Sequence, residues 1–396
     1  MAFSQPYTYG NLQKDLTNIE SLPNSSRCLH KEILCYTILG NPCYLLTITS
    51  PSKGKDKKGV VFTGRVHPGE TVSSWMIKGV IEFLLEDSLE ARLLRESFVF
   101  KIVPMLNPDG VINGNYRCSL AGCDLNRKYK NASKILTPTI YYLKKMVHEF
   151  SKAYPIVLYC DFHGHSKKKD VFLYGNTDGC NEAQYRIYPY IMSKVSPYID
   201  FSKCNFGVQK SKLSTARIVI WKELNIYSVY TIEASFFGPS SGEGKHFSVE
   251  DYINIGKTMC QALLIYKNIH KNERVESFGT KFLKQSIKNT IDFNRVTEEI
   301  ANDLENHKEL LFNNIGDKIK DRDIGSDSDP SGDNLDLKEL LKIVPREIKR
   351  ELITEVKSIS HKREHAFGNA TILSQKKKYS IDEYIGMADI CFKKPM

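Results

Sequence analysis

The 396-residue sequence predicts an α/β fold, a mixed, mainly parallel sheet sandwiched by helices, followed by a helical or partly disordered C-terminal extension. Three observations carry this. Short apolar runs alternate with helical patterns, the arrangement that lays helices on both faces of a largely parallel sheet. The run Ile156-Val-Leu-Tyr-Cys160 reads as a buried strand with polar, chemistry-bearing residues directly after it. After about residue 270 the character of the chain changes.

In order, residues 30–50 read as two strands around the turn Gly40-Asn-Pro42. A lysine-rich loop, Lys53 to Lys58, leads to the apolar strand Val60-Val-Phe-Thr-Gly64. Trp75, Val80, Phe83 and Leu84 give a helical pattern, and Phe98 to Val103 reads as a strand. Thr139 to Phe150 is a helix candidate ahead of the Ile156 strand. Val229-Tyr-Thr-Ile232 is another strand, and Val249 to Tyr266 a closing helix. Residues 1–270 are expected to form one domain and 271–396 an extension. Its linker lies near 325–336, with helical periods from Leu337 to Val356 and a basic stretch from Lys376.

Composition narrows the function. Ten cysteines without a C-x-x-C pair argue against a thiolate zinc site or a thioredoxin-type motif. The start has no basic and apolar leader pattern, and no run approaches the ~20 apolar residues of a membrane helix. The expectation is a reduced, cytosolic protein with no membrane partner. The net charge of +10 suits an acidic partner, and without a nucleic-acid-binding motif no nucleic acid is expected. A plain solvated basic surface accounts for the charge equally well.

Four clusters carry chemistry. Arg65-Val-His67-Pro-Gly-Glu70 follows an apolar strand, and its tight turn lets an imidazole and a carboxylate converge on one cation. Alone, an H-x-x-E pair is weak and is often a surface accident. Asp161-Phe-His163-Gly-His165 lies at the end of a buried strand, where one imidazole can bind metal while the carboxylate orients it. A hydrogen-bonded histidine pair in a loop fits the same residues. Asn107-Pro-Asp-Gly110, Arg117 and Asp124-Leu-Asn126-Arg127 place two arginines where they can grip a carboxylate or an oxyanion, or merely cap a turn. Glu233 ends an apolar strand, where a carboxylate is costly unless paired or working, or else faces solvent.

The order of these clusters, with HPGETVSSWMIKG from His67, FKIVPMLNPDGVINGNYRCSLAG from Phe100, DLNRKY from Asp124 and CDFHGHSKK from Cys160, resembles the M14 zinc carboxypeptidases, in their cytosolic branch. The resemblance covers about residues 6 to 268. It implies one Zn2+ per chain held by His67, Glu70 and His163, the last preferred to His165 as the first histidine of its motif. It further implies Glu233 as general base and acid, Arg117 polarising the scissile carbonyl, and Asn126 with Arg127 on the terminal carboxylate. The tyrosine that closes over substrates in the digestive relatives has no assignable counterpart. The β-sandwich that precedes the catalytic domain in this branch is expected to be missing, since Gln5 to Tyr9 resembles its exit.

The implied activity is removal of C-terminal glutamates from acidic protein tails such as polyglutamylated tubulin. The implied location is the cytoplasm, with microtubule or cilium association. Arg217, 16 residues before Glu233, matches the position that reads the departing side chain, where a guanidinium would pair with a glutamate carboxylate. A surface arginine on an edge strand is the plainer reading of Arg217. Lys167, Lys168 and Lys169 could line the mouth. The competing functions are a zinc amidohydrolase of small N-acyl amino acids and a non-catalytic tubulin-binding module.

Overall fold

Strands β1 (Leu29–Tyr36), β2 (Pro42–Ile48), β3 (Lys58–Gly64), β4 (Phe98–Val103), β5 (Ile156–His165), β6 (Val171–Tyr174) and β7 (Val229–Ser235) form one sheet. Their order across it is β1-β2-β4-β3-β5-β7-β6. The computed structural model describes residues 4–51, 56–180, 182–242 and 244–271. The linker, helical periods and basic stretch expected in the C-terminal extension lie outside the described residues.

The four central strands β4, β3, β5 and β7 are mutually parallel. β1 and β2 add antiparallel at one side and β6 at the other, which makes the sheet mixed. Helices α1 (Tyr9–Glu20), α2 (Ser25–Cys28), α3 (Thr71–Leu85), α4 (Leu89–Ser97), α5 (Pro108–Asn113), α6 (Pro138–Ala153), α7 (Glu182–Val195), α8 (Ala216–Leu224) and α9 (Val249–Lys271) complete it.

Strand alternation builds two cores. Val60, Phe62, Phe100, Ile102, Leu158, Cys160 and Phe162 meet residues of α1, α3, α7 and α9 on one face. Val61, Val99, Val103, Ile156 and Tyr159 meet α6 and α8 on the other. Because both faces are covered, the central strands read as continuous apolar runs rather than alternating ones. Burying a side chain such as Phe62, fully enclosed here, contributes about 1.5–3 kcal/mol.

The strands expected around residues 30–50, at 60, 98, 156 and 229, and the helices at 75, 139 and 249, all form. Two elements run on in ways that matter for the site. β5 continues beyond Cys160 to His165, which carries the histidine motif on the strand itself. The segment holding Arg217 is not an edge strand but the first turn of α8, whose capping position is Thr215.

Candidate metal centre and substrate site

The site lies where β3, β5 and β7 end and α3 begins. β3 leaves the sheet through Arg65, which holds a left-handed backbone (φ 55°) that a branched or bulky side chain rarely adopts. Its amide donates to Ser73 Oγ at 2.8 Å, its Nε to Pro68 O at 2.8 Å and its Nη1 to Ser74 Oγ at 2.8 Å. The guanidinium therefore clamps the turn that presents His67. Gly69 completes that turn. Its amide donates to Tyr116 O at 2.7 Å, and a Cβ there would stand 2.6 Å from the Tyr116 ring. Glu70 then caps α3.

His67, Glu70 and His163 are all buried, and a potential ligand atom from each lies within 4.8 Å of the others. His67 Nδ1 is 2.7 Å from Glu70 Oε1, and His163 Nδ1 is 2.9 Å from Glu70 Oε2. The far nitrogens are also engaged. His67 Nε2 donates to Asp124 Oδ1 at 3.0 Å, and His163 Nε2 to Asp161 Oδ2 at 2.8 Å. Carboxylates only accept, so without metal both nitrogens of each imidazole carry protons, and a metal replacing the Nδ1 protons would leave each Nε2 donating to its own carboxylate. Two imidazole nitrogens and a carboxylate converging in a buried pocket, each imidazole oriented by its own carboxylate, suit zinc.

The carboxylates are fixed in turn. Thr63 Oγ1 donates to Asp161 Oδ1 at 2.7 Å from the neighbouring strand. The Gly164 amide donates to Glu70 Oε2 at 3.0 Å, and a Cβ on Gly164 would stand 2.6 Å from Phe236 and 2.7 Å from Val72. His165 takes no part. It is buried, its Nδ1 accepts from the amides of Lys167 (3.2 Å) and Lys168 (2.9 Å), and burial with the Lys168 charge pushes it down to about 4.

The electrostatics follow from this packing. Burial works against charge at all three converging groups, but pairing prevails. Against burial, the His67 and His163 charges hold Glu70 well below the usual carboxylate range. Glu70 and Asp124 raise His67 against burial, and Asp161 and Glu70 raise His163 well above its ordinary value.

Glu233 pairs in register with His163 across β5 and β7. It is partly buried, and burial, with the Glu70 charge and against the pull of His163, His67 and Arg117, pushes it up to about 7. A carboxyl poised near neutrality can both take and return a proton.

Asp124 joins the metal pocket to the arginines. Its Oδ2 accepts from Arg117 Nε at 3.0 Å and Nη2 at 2.9 Å, and Arg127 Nη1 stands 3.9 Å away. Its Oδ1 also takes the Asn126 amide at 2.8 Å. Asn126 Nδ2 lies 3.4 Å from His163 Nε2, and its Oδ1 accepts from the Ala216 amide at 3.0 Å. That bond latches the start of α8, and with it Arg217, onto the site.

Arg217 is buried, and its Nη1 donates to Asn176 Oδ1 at 2.9 Å. Asn176 is itself fixed by donating to Val229 O at 3.2 Å and Arg217 O at 3.4 Å. Among the described residues no carboxylate is ion-paired to Arg217, and burial, partly offset by Tyr174, pushes it down to about 10. Lys167, Lys168 and Lys169 are exposed, and Lys168 Nζ sits over the rings of Phe172 (5.1 Å) and Tyr174 (5.8 Å).

The site thus brings together His67, Glu70, His163, Glu233, Arg117, Asn126 and Arg127, while His165 stands aside, Asn107 caps α5 and Asp109 accepts from Thr37 and Asn41. Sequence reasoning missed the double role of Asp124, the support from Thr63 and Asn176, and Lys212. Lys212 is pushed down to about 8 by burial, Arg127 and Arg117, against Glu233 and Asp124. The polar D-L-N-R cluster was the available signal for Asp124. Nothing in the Lys210-Ser-Lys212 string marks it as part of a site. A separate cavity of about 970 Å³, lined by Leu22, Arg27, Glu82 and Arg95 among others, contains none of these residues.

Residues 19–259 match the family model described as Zinc carboxypeptidase. Cytosolic carboxypeptidase 3 of Mus musculus is 47% identical over 277 residues, covering 67% of this chain and 27% of that protein. Cytosolic carboxypeptidase 2 of Xenopus tropicalis is 49% identical over 275 residues, covering 67% of this chain and 28% of that protein. The chain therefore spans about a quarter of the length of the curated relatives it matches. A metallo-carboxypeptidase from Burkholderia cenocepacia shares the fold, with a TM-score of 0.61 at 24% identity over 68% of this chain and 71% of that one.

Proposed function

The chain belongs to the zinc carboxypeptidase family, and from that premise we propose that it is a zinc metallocarboxypeptidase removing glutamate from the C-termini of acidic protein tails. The observation that carries the reading is the convergence of His67, Glu70 and His163, with Glu233 in register one strand away. Tubulin tails are the substrate that the family resemblance suggests. A cytosolic setting accords with the names of the relatives. Among the described residues no helix is long and apolar enough to cross a membrane.

His67, Glu70 and His163 would hold the zinc, which when bound polarises a carbonyl and lowers the pKa of water toward ~7. The rest falls to the chain's own groups. Arg127 and Asn126 take the terminal carboxylate of the substrate, a planar acceptor that suits a guanidinium fork. Arg117, held in place by Asp124, points its charge at the oxygen of the scissile carbonyl, where negative charge grows in the transition state. Glu233 removes a proton from the attacking water and returns it to the departing amine.

Arg217 supplies the reason for glutamate. Among the described residues Arg217 donates to the neutral Asn176 and is ion-paired to no carboxylate, and a buried guanidinium so placed is costly unless an anion from outside completes it. A glutamate side chain brings that anion, and a leucine side chain does not.

The test is to load the purified chain with zinc and follow C-terminal release from matched peptides ending in glutamate or leucine. Mass spectrometry of tubulin tails after incubation extends it to protein substrates. Glutamate release dependent on zinc and on Glu233 supports the reading. Zinc retention without release of any C-terminal residue overturns it.

A further inference from the structure

Two distant stretches of the chain are stapled together beside the arginines of the site. The Tyr129 amide donates to Ser214 O at 3.2 Å, and the Ala216 amide to Asn126 Oδ1 at 3.0 Å. The first stretch reads Arg127-Lys-Tyr-Lys130, and the second Lys210-Ser-Lys212. Lys128 and Lys130 flank the stapled Tyr129, and Lys210 and Lys212 sit in the short 3-10 turn just before Ser214. Lys130 and Lys210 are exposed, and Lys128 and Lys212 are partly buried.

Asp124 is committed to His67 and Arg117, and Glu223 to Lys144 and His148. Among the described residues, Lys128, Lys130 and Lys210 are ion-paired to no carboxylate. Lys212 feels the fields of Arg127, Arg117, Glu233 and Asp124, so the rim reaches the catalytic groups rather than lying apart from them. Cations of one sign held together at a cleft concentrate anionic ligands from solution.

We propose that Lys128, Lys130, Lys210 and Lys212 form an exosite for the acidic segment upstream of the residue removed. It rests on the carboxypeptidase reading above and extends it from the terminal residue to the chain behind it. An extended peptide spans about 3.3–3.6 Å per residue, so a run of glutamates lays a ladder of carboxylates along a rim of this kind. The bonds across the rim are long-range electrostatic ones, and binding through them weakens with salt.

The experiment uses the full chain carrying Lys128→Gln, Lys130→Gln and Lys210→Gln together, leaving Lys212 because of its closeness to Glu233. Two peptides share the same terminal residue, one with glutamates upstream and one with serine and glycine there. Expected is a rise of about tenfold in KM for the acidic peptide, with kcat held and a shallower salt dependence, and no change for the neutral one. An equal change for both peptides, or none for the acidic one, overturns the proposal. The same comparison by fluorescence anisotropy in a Glu233→Gln background reads binding without turnover. Because the terminal residue is constant within each pair, loss of the terminal-glutamate preference would sink the specificity reading and leave the rim result interpretable.

Discussion

Asp124 holds the imidazole of His67 and the guanidinium of Arg117 with one carboxylate, through Oδ1 at 3.0 Å from Nε2 and Oδ2 at 2.9 Å from Nη2. On the proposed mechanism, one carboxylate thereby links metal binding to transition-state stabilisation. Burial alone would raise Asp124, but His67, Arg117 and Arg127 hold it far below the usual carboxylate range. It stays ionised across any working pH.

Asp124→Asn should consequently impair two things together. Losing the partner that fixes a metal-binding histidine typically weakens metal affinity by about 10–100-fold. Arg117 would also lose its anchor, so kcat should remain low even at saturating zinc. Zinc affinity by chelator competition and kcat at saturating metal check both halves. Full recovery of kcat with excess zinc would show that Asp124 serves the metal alone.

Glu233→Gln should keep zinc stoichiometry while turnover falls by about 10²–10⁴, since proton transfer goes and the ligands stay. The pH dependence supplies a second check. Glu233 is raised from its ordinary 4.5 to about 7, so the folded state binds its proton more tightly than the unfolded state. That stability is fully present below pH 4.5 and is lost as pH rises through about 7. In chelator-treated protein, Glu233→Gln should therefore raise Tm relative to wild type at pH 8, and the gain should shrink toward pH 4.5. A gain that stays constant with pH would contradict the raised pKa.

Protons and metal compete for the same imidazoles. Both His67 and His163 are raised above 6.5 by Glu70, Asp124 and Asp161, which outweigh burial. In metal-free protein, the stability from these pairs is present below pH 6.5 and is lost as pH rises through the raised values. Zinc affinity runs the opposite way, because binding displaces the Nδ1 protons. Calorimetric titration in buffers of differing ionisation heat should show proton release on zinc binding that is larger at pH 6 than at pH 9. Proton release independent of pH would mean that the histidines are already neutral.

Much of this was legible in the sequence because the central strands are buried on both faces and the candidate metal ligands lie in a short turn after β3 and on the end of β5. Val60 to Gly64 and Ile156 to Cys160 read as strands from their apolar runs, and the residues that follow them are those that converge. What could not be read depends on contacts between distant segments. Thr63 supports Asp161 only because β3 and β5 pair in register. Arg217 looked like a strand residue, because Ala216-Arg-Ile-Val-Ile220 is rich in β-branched side chains. Burial against β5 and β7 makes it a helix instead, one that starts after Thr215 without a side-chain cap bond. Tertiary packing outweighed local propensity at Arg217, the residue proposed to read the substrate side chain.

That residue carries the last prediction. Arg217 is buried in the first turn of α8, with Asn176 Oδ1 at 2.9 Å and no carboxylate paired to it among the described residues. Arg217→Met keeps most of the side-chain volume and removes the charge. Removing an unpaired buried cation should leave the fold intact or modestly stabilised, so a change in activity would not reflect unfolding. On peptides ending in glutamate, kcat/KM should fall by about 10²–10³, the scale of losing one partner of a desolvated charge pair. On peptides ending in leucine or methionine it should rise, because an apolar side chain no longer strands a guanidinium. The decisive quantity is the ratio of the two, which cancels any general damage to catalysis. A ratio unchanged from wild type, with Tm preserved, would place Arg217 outside the substrate pocket and remove the main local support for an acidic substrate.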